Sequence, residues 1–185
     1  MLSMRRNPGF TIIELVVVIM IVGILFAIGL PSYKYVTTSN RMTSEVNLLL
    51  GDMQFARSQA IKEGQPVTVC ISTNGIQCAG VGNVNWQDGW IVFMDINATK
   101  SVPAVSDILR VEPKFTSTDT FVASSPVFWA ATFNRAGYAP TGVATTLTVN
   151  LHDSTDNAQW TRCLAVTPIG SPSTERAGIG TPPCT

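Results

Sequence analysis

Residues suited to catalysis are scarce in this chain of 185 residues. The chain contains a single histidine, His152, which nearly excludes histidine-based catalysis and any metal site built from several histidines. No Ser-His-Asp arrangement or phosphate-binding loop is recognisable, and Gly80-Val81-Gly82 lacks the rest of a dinucleotide-binding fingerprint. The sequence therefore predicts a protein that is not an enzyme and that carries no cofactor.

A second group of polar residues has the spacing of metal ligands. In the segment Asp95-Ile96-Asn97-Ala98-Thr99-Lys100-Ser101, oxygen ligands recur at alternate positions, as at the start of a calcium loop. The segment lacks the glycine expected at the sixth position and the closing glutamate. We therefore interpret it as a polar hairpin loop and expect no metal site there.

Glu14 is the most unusual titratable residue, because it lies within an apolar segment. Residues 15–30 carry no charge, and the 21 residues from Phe10 to Leu30 contain only the charge of Glu14. A helix of this length spans about 30 Å, the thickness of a bilayer core. A carboxylate inside a membrane helix costs about 2.5–3.5 kcal/mol on insertion scales, so it usually has a partner.

Two arginines, Arg5 and Arg6, precede the apolar segment, and basic residues on that side keep an N-terminus in the cytoplasm. The segment is compatible with a cleavable secretory signal, with a permanent single-span anchor, or with a helix that uses Glu14 for a specific contact. The first two interpretations leave the carboxylate of Glu14 unexplained.

The string Gly9-Phe10-Thr11-Ile12-Ile13-Glu14-Leu15 resembles the class III signal of type IV prepilins and pseudopilins, with Ile12 in place of the usual leucine. This resemblance implies that a prepilin peptidase removes residues 1–9 by cutting after Gly9. It also implies that Phe10 becomes the N-methylated first residue. The helix would then remain in the inner membrane, as a single pass, until the subunit is assembled.

Cleavage after Gly9 suggests a role for Glu14. It would create a positively charged amine at Phe10, one helical turn before Glu14. In a staggered filament, Glu14 of one subunit can meet the amine of its neighbour. An ion pair in a low-dielectric environment is strong when both partners are present and costly when either is missing. We therefore expect Glu14 to set the register in which subunits assemble.

One long helix, from about Phe10 to Glu63, is predicted to carry these residues. Residues 10–31 form its hydrophobic, transmembrane half, and Gly29 with Pro31 are expected to interrupt the helical pattern at the end of that half.

Residues 32–63 form the amphipathic half of the helix, which Gly64 and Pro66 should end. The apolar stripe of this half has helical spacing and consists of Met42, Val46, Leu49, Met53, Ala56 and Ala60. The opposite face carries Arg41, Glu45, Asp52 and Lys62. A coiled coil is the alternative, but the stripe is short and a β-rich region follows it.

Residues 64–185 are predicted to form a β-rich globular domain, so the fold class is α+β. An antiparallel sheet or sandwich should cover the helix stripe. The residues from Gly170 to Thr185 are expected to be largely loop. The candidate strands are Val67–Ser72, Trp90–Met94, Ile108–Glu112, Thr120–Ala123, Val127–Phe133, Thr146–Leu151 and Arg162–Thr167.

Two further strings narrow the resemblance. Residues 54–61 (Gln-Phe-Ala-Arg-Ser-Gln-Ala-Ile) and 86–93 (Trp-Gln-Asp-Gly-Trp-Ile-Val-Phe) are similar to the GspH/FimT/FimU-like subgroup of minor pilins and pseudopilins. The similarity extends roughly from Gly9 to Val111. It implies the type IV pilin fold, in which a long N-terminal helix packs on an antiparallel sheet.

Four cysteines suit an exported protein. Cys70 and Cys78 flank Asn74-Gly75, as in a stapled hairpin, whereas Cys163 lies on the last predicted strand and Cys184 lies near the end of the chain. We predict the pairs Cys70–Cys78 and Cys163–Cys184, with the two other pairings formally possible. Zinc is disfavoured, because no Cys-x-x-Cys spacing occurs.

Binding to DNA is disfavoured by charge. The chain has no formal net charge, and residues 65–185 carry six basic and eight acidic side chains, a net charge of −2. FimT-like pilins that bind DNA use a C-terminal Gly-Arg-x-Arg stretch, where this chain reads Gly170-Ser171-Pro172-Ser173. Arg162 and Arg176 are the remaining candidates for weak DNA contacts.

Together these features predict a structural minor pilin that helps to prime or cap a type IV pilus, which serves twitching, adhesion or DNA uptake. One alternative is the H-type pseudopilin of the type II secretion pseudopilus, and another is a DNA-binding FimT-type pilin for natural transformation. The resemblance implies as partners other major and minor pilins or pseudopilins, the prepilin peptidase and the inner-membrane assembly platform. The globular domain should lie in the periplasm.

Overall fold

A computed structural model of the chain describes residues 9–139, 146–179 and 184. The first element is the helix α1, Ile12–Glu63, which continues through Pro31 without a break. The helix therefore does not melt at Pro31, and its extent agrees with the predicted helix from about Phe10 to Glu63. Proline removes only its own N–H, and the bonded turns on both sides can maintain the helix. Apart from Gly9, the predicted leader lies outside the described residues.

Within the described residues, eight strands follow α1 and form two four-stranded antiparallel sheets. In chain order they are β1 (Val67–Ile71), β2 (Trp90–Met94), β3 (Ile108–Glu112), β4 (Thr120–Ala123), β5 (Ala130–Phe133), β6 (Leu147–His152), β7 (Arg162–Val166) and β8 (Pro172–Arg176). The first sheet has the order β3-β2-β1-β5, and the second has the order β4-β6-β7-β8. The predicted α+β fold with an antiparallel sheet region is confirmed.

The apolar stripe of α1 is the centre of one hydrophobic core. Met42, Val46, Leu49, Met53, Ala56 and Ala60 are each at most 1% exposed. Their cluster includes Trp90 and Phe93 of the first sheet as well as Phe121 and Leu151 of the second. The helix is therefore the element on which both sheets pack, because its stripe supplies apolar surface that each sheet needs to cover.

Two residues predicted on the solvent-facing side of α1 are buried instead. Glu45 is 8% exposed and Asp52 is 7% exposed, whereas the side chain of Lys62 is 71% exposed. Two sheets cover a wider arc of the helix than one sheet would, so the margins of that arc include polar positions. Each buried carboxylate has partners on the β-strand side, as described below.

The segment after Gly170 contains a strand that the sequence analysis missed. Residues 172–176 form β8 and pair with β7 in the register Arg162↔Arg176 to Val166↔Pro172. Proline is tolerated here because Pro172 is the first residue of an edge strand. The prediction of a tail that is largely loop is wrong for these five residues.

The chain divides into two compact units, Met1–Ser39 and Asn40–Thr185, with the division inside α1. The second unit contains all eight strands and the core, together with the helix residues from Asn40 onwards. The residues that could anchor a sheet domain to the helix are therefore found after position 39.

Gly170 is expected to be intolerant of any side chain. Its φ is +76°, and a Cβ at this position would lie 2.1 Å from the carbonyl oxygen of Gly137. We expect Gly170→Ala to lower the free energy of unfolding by about 2–4 kcal/mol, through backbone strain and a steric clash with main-chain atoms. Urea unfolding of the full chain in detergent, followed by tryptophan fluorescence, measures this change.

Gly178→Ala is the matched control, because Gly178 has a φ of +75° but open space around its Cβ position. It should cost about 1 kcal/mol, the strain of the left-handed backbone alone. Equal costs for the two variants would show that the close approach of the turns at Gly137 and Gly170 does not contribute.

Candidate functional site

The apolar half of α1 is uncovered. Every large apolar side chain from Phe10 to Leu30 is between 41% and 84% exposed. An 18-residue window of the helix has a mean hydropathy of 3.0, and none of that window is buried. By length and composition the helix can cross a membrane. This surface is the first candidate functional site, because large exposed apolar surfaces mark membrane or protein contacts.

The start of α1 shows what surrounds Glu14. The backbone N–H of Glu14 donates to the hydroxyl oxygen of Thr11 at 3.3 Å, and the N–H of Leu15 donates to the carbonyl oxygen of Thr11 at 3.2 Å. Thr11 is therefore the N-cap of the helix, and Glu14 stands in its first turn, where the helix dipole favours a negative charge. The sequence analysis missed this cap, although the spacing Thr-x-x-Glu is the signal of a capping box.

Gly9 and Phe10 precede the helix and are exposed, Phe10 by 79%. The peptide bond between them lies outside the helical hydrogen bonds, so a peptidase could reach it. Glu14 lies one turn further on. The structure thus places the predicted cleavage, methylation and assembly residues on one accessible segment.

A bidentate ion pair holds the beginning of the globular unit to α1. The guanidinium of Arg41 donates from Nε to Asp119 Oδ2 at 2.6 Å and from Nη2 to Asp119 Oδ1 at 2.9 Å. Asp119 lies immediately before β4, and its side chain is fully buried. The pair therefore joins the helix to the second sheet, and its fork geometry is the strongest that arginine and a carboxylate can adopt.

A second carboxyl group, that of Glu45, lies beside this ion pair. Its Oε1 accepts a hydrogen bond from the Ser117 hydroxyl at 2.8 Å, whereas its buried Oε2 has no partner while the group is ionised. Burial, followed by the charge of Asp119, raises the pKa of Glu45 to about 7. A proton on Oε2 removes the repulsion and provides a donor towards Asp119, which satisfies the otherwise unpaired oxygen.

Asp52 makes the corresponding connection to the first sheet. Its Oδ2 accepts a hydrogen bond from the indole N–H of Trp90 at 2.8 Å, and its Oδ1 pairs with Arg110 Nη1 at 2.8 Å. The guanidinium of Arg110 also lies 3.7 Å from the ring centroid of Phe55. The segment around Trp86 and Trp90 that carries the family resemblance therefore packs against the helix, as core rather than as a ligand cage.

Two disulfides, Cys70–Cys78 and Cys163–Cys184, are present, and they are the two pairs given by the sequence analysis. The first ties the end of β1 to the loop that follows it. The second closes 21 residues and holds the end of the chain to β7. Closing a loop of this size contributes roughly 3 kcal/mol by restricting the unfolded chain.

The segment that resembles a calcium loop uses its carboxylate internally. Asp95 is fully buried, and its oxygens accept hydrogen bonds from the N–H groups of Thr99 and Lys100 at 2.9 and 2.8 Å. The hydroxyl of Thr68 on β1 donates to the same carboxylate at 2.8 Å. Asp95 is thus the structural centre of the turn after β2.

Arg162 and Arg176, the candidate DNA contacts, face each other across β7 and β8 and line a groove of about 400 Å³ beside α1. Arg162 is only 9% exposed, and its Nη1 donates to the carbonyl oxygens of Gln159 and Thr161. Glu175 lies in the same groove. Arg176 is exposed, but Arg162 is largely buried and Glu175 adds a negative charge, so the groove presents little cationic surface for a phosphate.

Comparison with known proteins agrees with these features. A sequence-family model described as "Type II transport protein GspH" matches residues 45–170, and one described as "Prokaryotic N-terminal methylation motif" matches residues 4–30. Among solved structures, the type IV minor pilin FimU of Pseudomonas aeruginosa is similar. It has a TM-score of 0.59 and 20% identity, covering 79% of this chain and 96% of FimU, and at this identity the likeness concerns the fold.

Curated relatives match the chain over a shorter stretch. A fimbrial protein of Pseudomonas aeruginosa is 38% identical over 64 residues, which is 35% of this chain and 41% of the relative. The fimbrial protein EcpC of Eikenella corrodens is 49% identical over 45 residues, 24% of this chain and 29% of the relative. The chain therefore spans less than half the length of these relatives.

Glu45 should make stability depend on pH. Its pKa is higher in the folded protein, about 7, than the ordinary glutamate value of 4.5. The stabilisation is therefore complete below about pH 4.5, and it is lost as the pH rises through 7. We expect Glu45→Gln to raise the free energy of unfolding at pH 8 by about 1–2 kcal/mol and to flatten its pH profile between pH 5 and 8.

Asp119→Asn is the control for this experiment, since it leaves Arg41 without its carboxylate. It should destabilise the chain at neutral pH, because Arg41 loses its charge partner, and it should also weaken the pH dependence, because the charge of Asp119 contributes to the raised pKa of Glu45. Thermal unfolding of the full chain in detergent at several pH values gives both profiles. A wild-type profile parallel to that of Glu45→Gln would contradict the assignment of the proton to Glu45.

Proposed function

The chain belongs to the family of the type II transport protein GspH, within the type IV minor pilins and pseudopilins, and we propose that it primes or caps a type IV pilus as a structural subunit. Proteins of this family are structural rather than enzymatic, in agreement with the expectation from the sequence. One observation carries the proposal: an uncovered apolar helix continues into the core of a two-sheet unit with the FimU fold.

The uncovered segment supports a function in two successive environments. A helix that is apolar on all sides is suited to lipid and equally to the interior of a helical bundle. We propose that residues 10–31 anchor the subunit in the inner membrane, with the globular unit in the periplasm. The same residues then pack against other pilins in the filament. The prepilin peptidase and the assembly platform are the partners that this route requires.

Processing of the N-terminus belongs to the same proposal. The methylation motif matched at residues 4–30 supports cleavage after Gly9 and methylation of Phe10. The exposure of both residues supports it further. Glu14 would then pair with the new amine of a neighbouring subunit, while Thr11 caps the helix locally.

The second candidate function is that of the H-type pseudopilin in type II secretion. The family match over residues 45–170, which carries the description of a type II transport protein, favours it. Direct DNA binding is not proposed, because Arg162 is buried and donates to backbone carbonyls, and residues 65–185 carry a net charge of −2.

A deletion strain separates the two functions. We expect loss of the gene to reduce surface pili and twitching motility, because filament initiation would lack one subunit, and to leave secretion of type II substrates unchanged. Electron microscopy, twitching-zone diameters and culture-supernatant assays provide the measurements, with complementation by the wild-type gene as control. Loss of secretion with normal pili would instead assign the chain to the secretion pseudopilus.

Substitutions at the start of α1 test the charge of Glu14 separately from the helix cap. Glutamine can complete a capping box but cannot pair with an amine as an anion. We therefore expect the Glu14→Gln protein to be cleaved and present in the membrane. It should nevertheless fail to restore pilus assembly in the deletion strain. Thr11→Ala removes the cap, at a cost of about 1 kcal/mol, and should retain assembly.

The contrary pattern would overturn the assigned role. If Glu14→Gln complements fully while Thr11→Ala does not, the cap and not the charge is what assembly requires. Immunoblots for the cleaved form accompany both variants, so that a processing defect is not mistaken for an assembly defect.

A further inference from the structure

The loop between β2 and β3, residues 95–107, contains a motif that the proposed function does not use. Asn97-Ala98-Thr99 has the form Asn-x-Ser/Thr, with a residue other than proline in the middle. No other asparagine in the sequence is followed by serine or threonine two positions later. This pattern is the acceptor motif for N-linked saccharides, which are attached to surface loops of exported proteins. We call it the Asn97 motif.

The Asn97 motif is accessible. Asn97, Ala98 and Thr99 are all exposed, and so is the preceding Ile96. The structure gives the side-chain amide of Asn97 no hydrogen bond among the described residues. The amide can therefore react without the loss of a contact that the fold needs.

The fold holds the Asn97 motif at the tip of a turn. The buried carboxylate of Asp95 accepts main-chain N–H groups from the far side of this turn, and the N–H of Ala98 donates to the carbonyl oxygen of Asp95 at 2.8 Å. The N–H of Asp95 donates to the carbonyl oxygen of Pro66 at 2.9 Å, so the turn lies at the end of the first sheet where β1 begins. A group attached to Asn97 would leave the buried stripe of α1 untouched.

The turn also contains strain that an enzyme could release. Ala98 and Lys100 have φ angles of +53° and +57°, in the left-handed region that residues with a Cβ rarely adopt. The hydroxyl of Thr99 reaches Asp95 Oδ1 only at 3.3 Å. An enzyme that binds the motif in an extended form would relieve the strain and replace this long hydrogen bond with one of its own.

We propose that Asn97 is a modification site that accepts an N-linked saccharide from a lipid-linked saccharide diphosphate, through a membrane-bound transferase. The amide nitrogen of Asn97 forms a bond to C1 of the saccharide. The bond between C1 and the diphosphate oxygen breaks, and the lipid diphosphate leaves with the bonding electron pair. A base of the transferase takes one amide proton, and no group is oxidised or reduced.

This proposal rests on the proposed function in one respect, the placement of the globular unit in the periplasm, on the side of the membrane where the donor and the transferase would act. The disulfides Cys70–Cys78 and Cys163–Cys184 agree with an oxidising compartment.

A chance occurrence of the motif is the competing explanation, and the chain offers an internal comparison. Asn157-Ala158-Gln159 is also an exposed Asn-Ala pair in a turn, and it also follows a buried aspartate, Asp153. It lacks the hydroxyl at the third position. If the transferase recognises the motif, Asn157 should stay unmodified.

Mass spectrometry of the full chain, purified in detergent from the host that carries its gene, tests the proposal. We expect the intact mass of the wild type to exceed that of Asn97→Gln by a saccharide, beyond the difference between the two side chains. Peptide mapping should place the addition on Asn97. Thr99→Ala should also abolish it, whereas Thr99→Ser should retain most of it, because serine keeps the hydroxyl that the motif requires.

Unfolding in urea provides the control for folding. Asn97→Gln should leave the urea midpoint of the unmodified protein unchanged, because the Asn97 side chain makes no hydrogen bond among the described residues. A wild-type chain without the saccharide, a saccharide that remains in Asn97→Gln or Thr99→Ala, or equal modification of Asn157 would overturn the proposal.

Protease treatment of spheroplasts and the deletion strain separate this proposal from the proposed function. A globular unit that is digested in spheroplasts but carries no saccharide rejects the modification site and retains the periplasmic placement. A modified chain whose deletion leaves pili and twitching normal retains the site and rejects the pilus function.

Discussion

The apolar side chains between Phe10 and Leu30 must be shielded from water, and no other part of the chain that the structure describes buries them. None of these large side chains is less than 41% exposed. Because the hydrophobic effect scales with the area removed from water, such a segment is stable only in lipid or among other apolar helices. This requirement agrees with the apolar helix of a membrane-anchored pilin, and lipid and a bundle of apolar helices would both satisfy the same side chains.

The second half of the same helix meets a different requirement. Its apolar stripe is buried by two sheets at once, and charged side chains at the margins of the stripe are paired with groups on those sheets. Asp52 is satisfied by Trp90 and Arg110 of the first sheet, whereas Arg41 is paired with Asp119 beside the second. Unpaired buried charges are costly, so these contacts favour one position of the helix among the strands over shifted alternatives.

Much of the fold could be predicted from local patterns. The helix stripe from Met42 to Ala60 followed from helical spacing, and seven strand positions followed from runs of apolar and β-branched residues between turn signals. β8 was missed because strands disfavour Pro172 and Glu175 and the segment contains no run of apolar residues. Its main-chain pairing with the preceding strand β7 holds it in the sheet instead. The burial of Glu45 and Asp52 could not be predicted, because it depends on how far around the helix two sheets extend.

The residues of the candidate site likewise differ in whether they could be predicted from the sequence. Gly9, Phe10 and Glu14 could be recognised because a processing signal is a linear string. The groove between α1 and β3 could not, since it exists only where Gly51 of the helix and Glu112 of an edge strand come together in space. The cap at Thr11 could also be predicted, because Thr11 and Glu14 have the Thr-x-x-Glu spacing of a capping box.

The two charged connections of α1 have a mechanical consequence. In the proposed filament, tension along α1 would reach the two sheets partly through Arg41–Asp119 and through Asp52 with its partners. Asp119 lies immediately before β4, whereas Trp90 and Arg110 lie on β2 and β3, so the two connections lead from α1 to different sheets and a pull on the helix would load both. The globular unit would thus resist extraction of its helix as a single mechanical element.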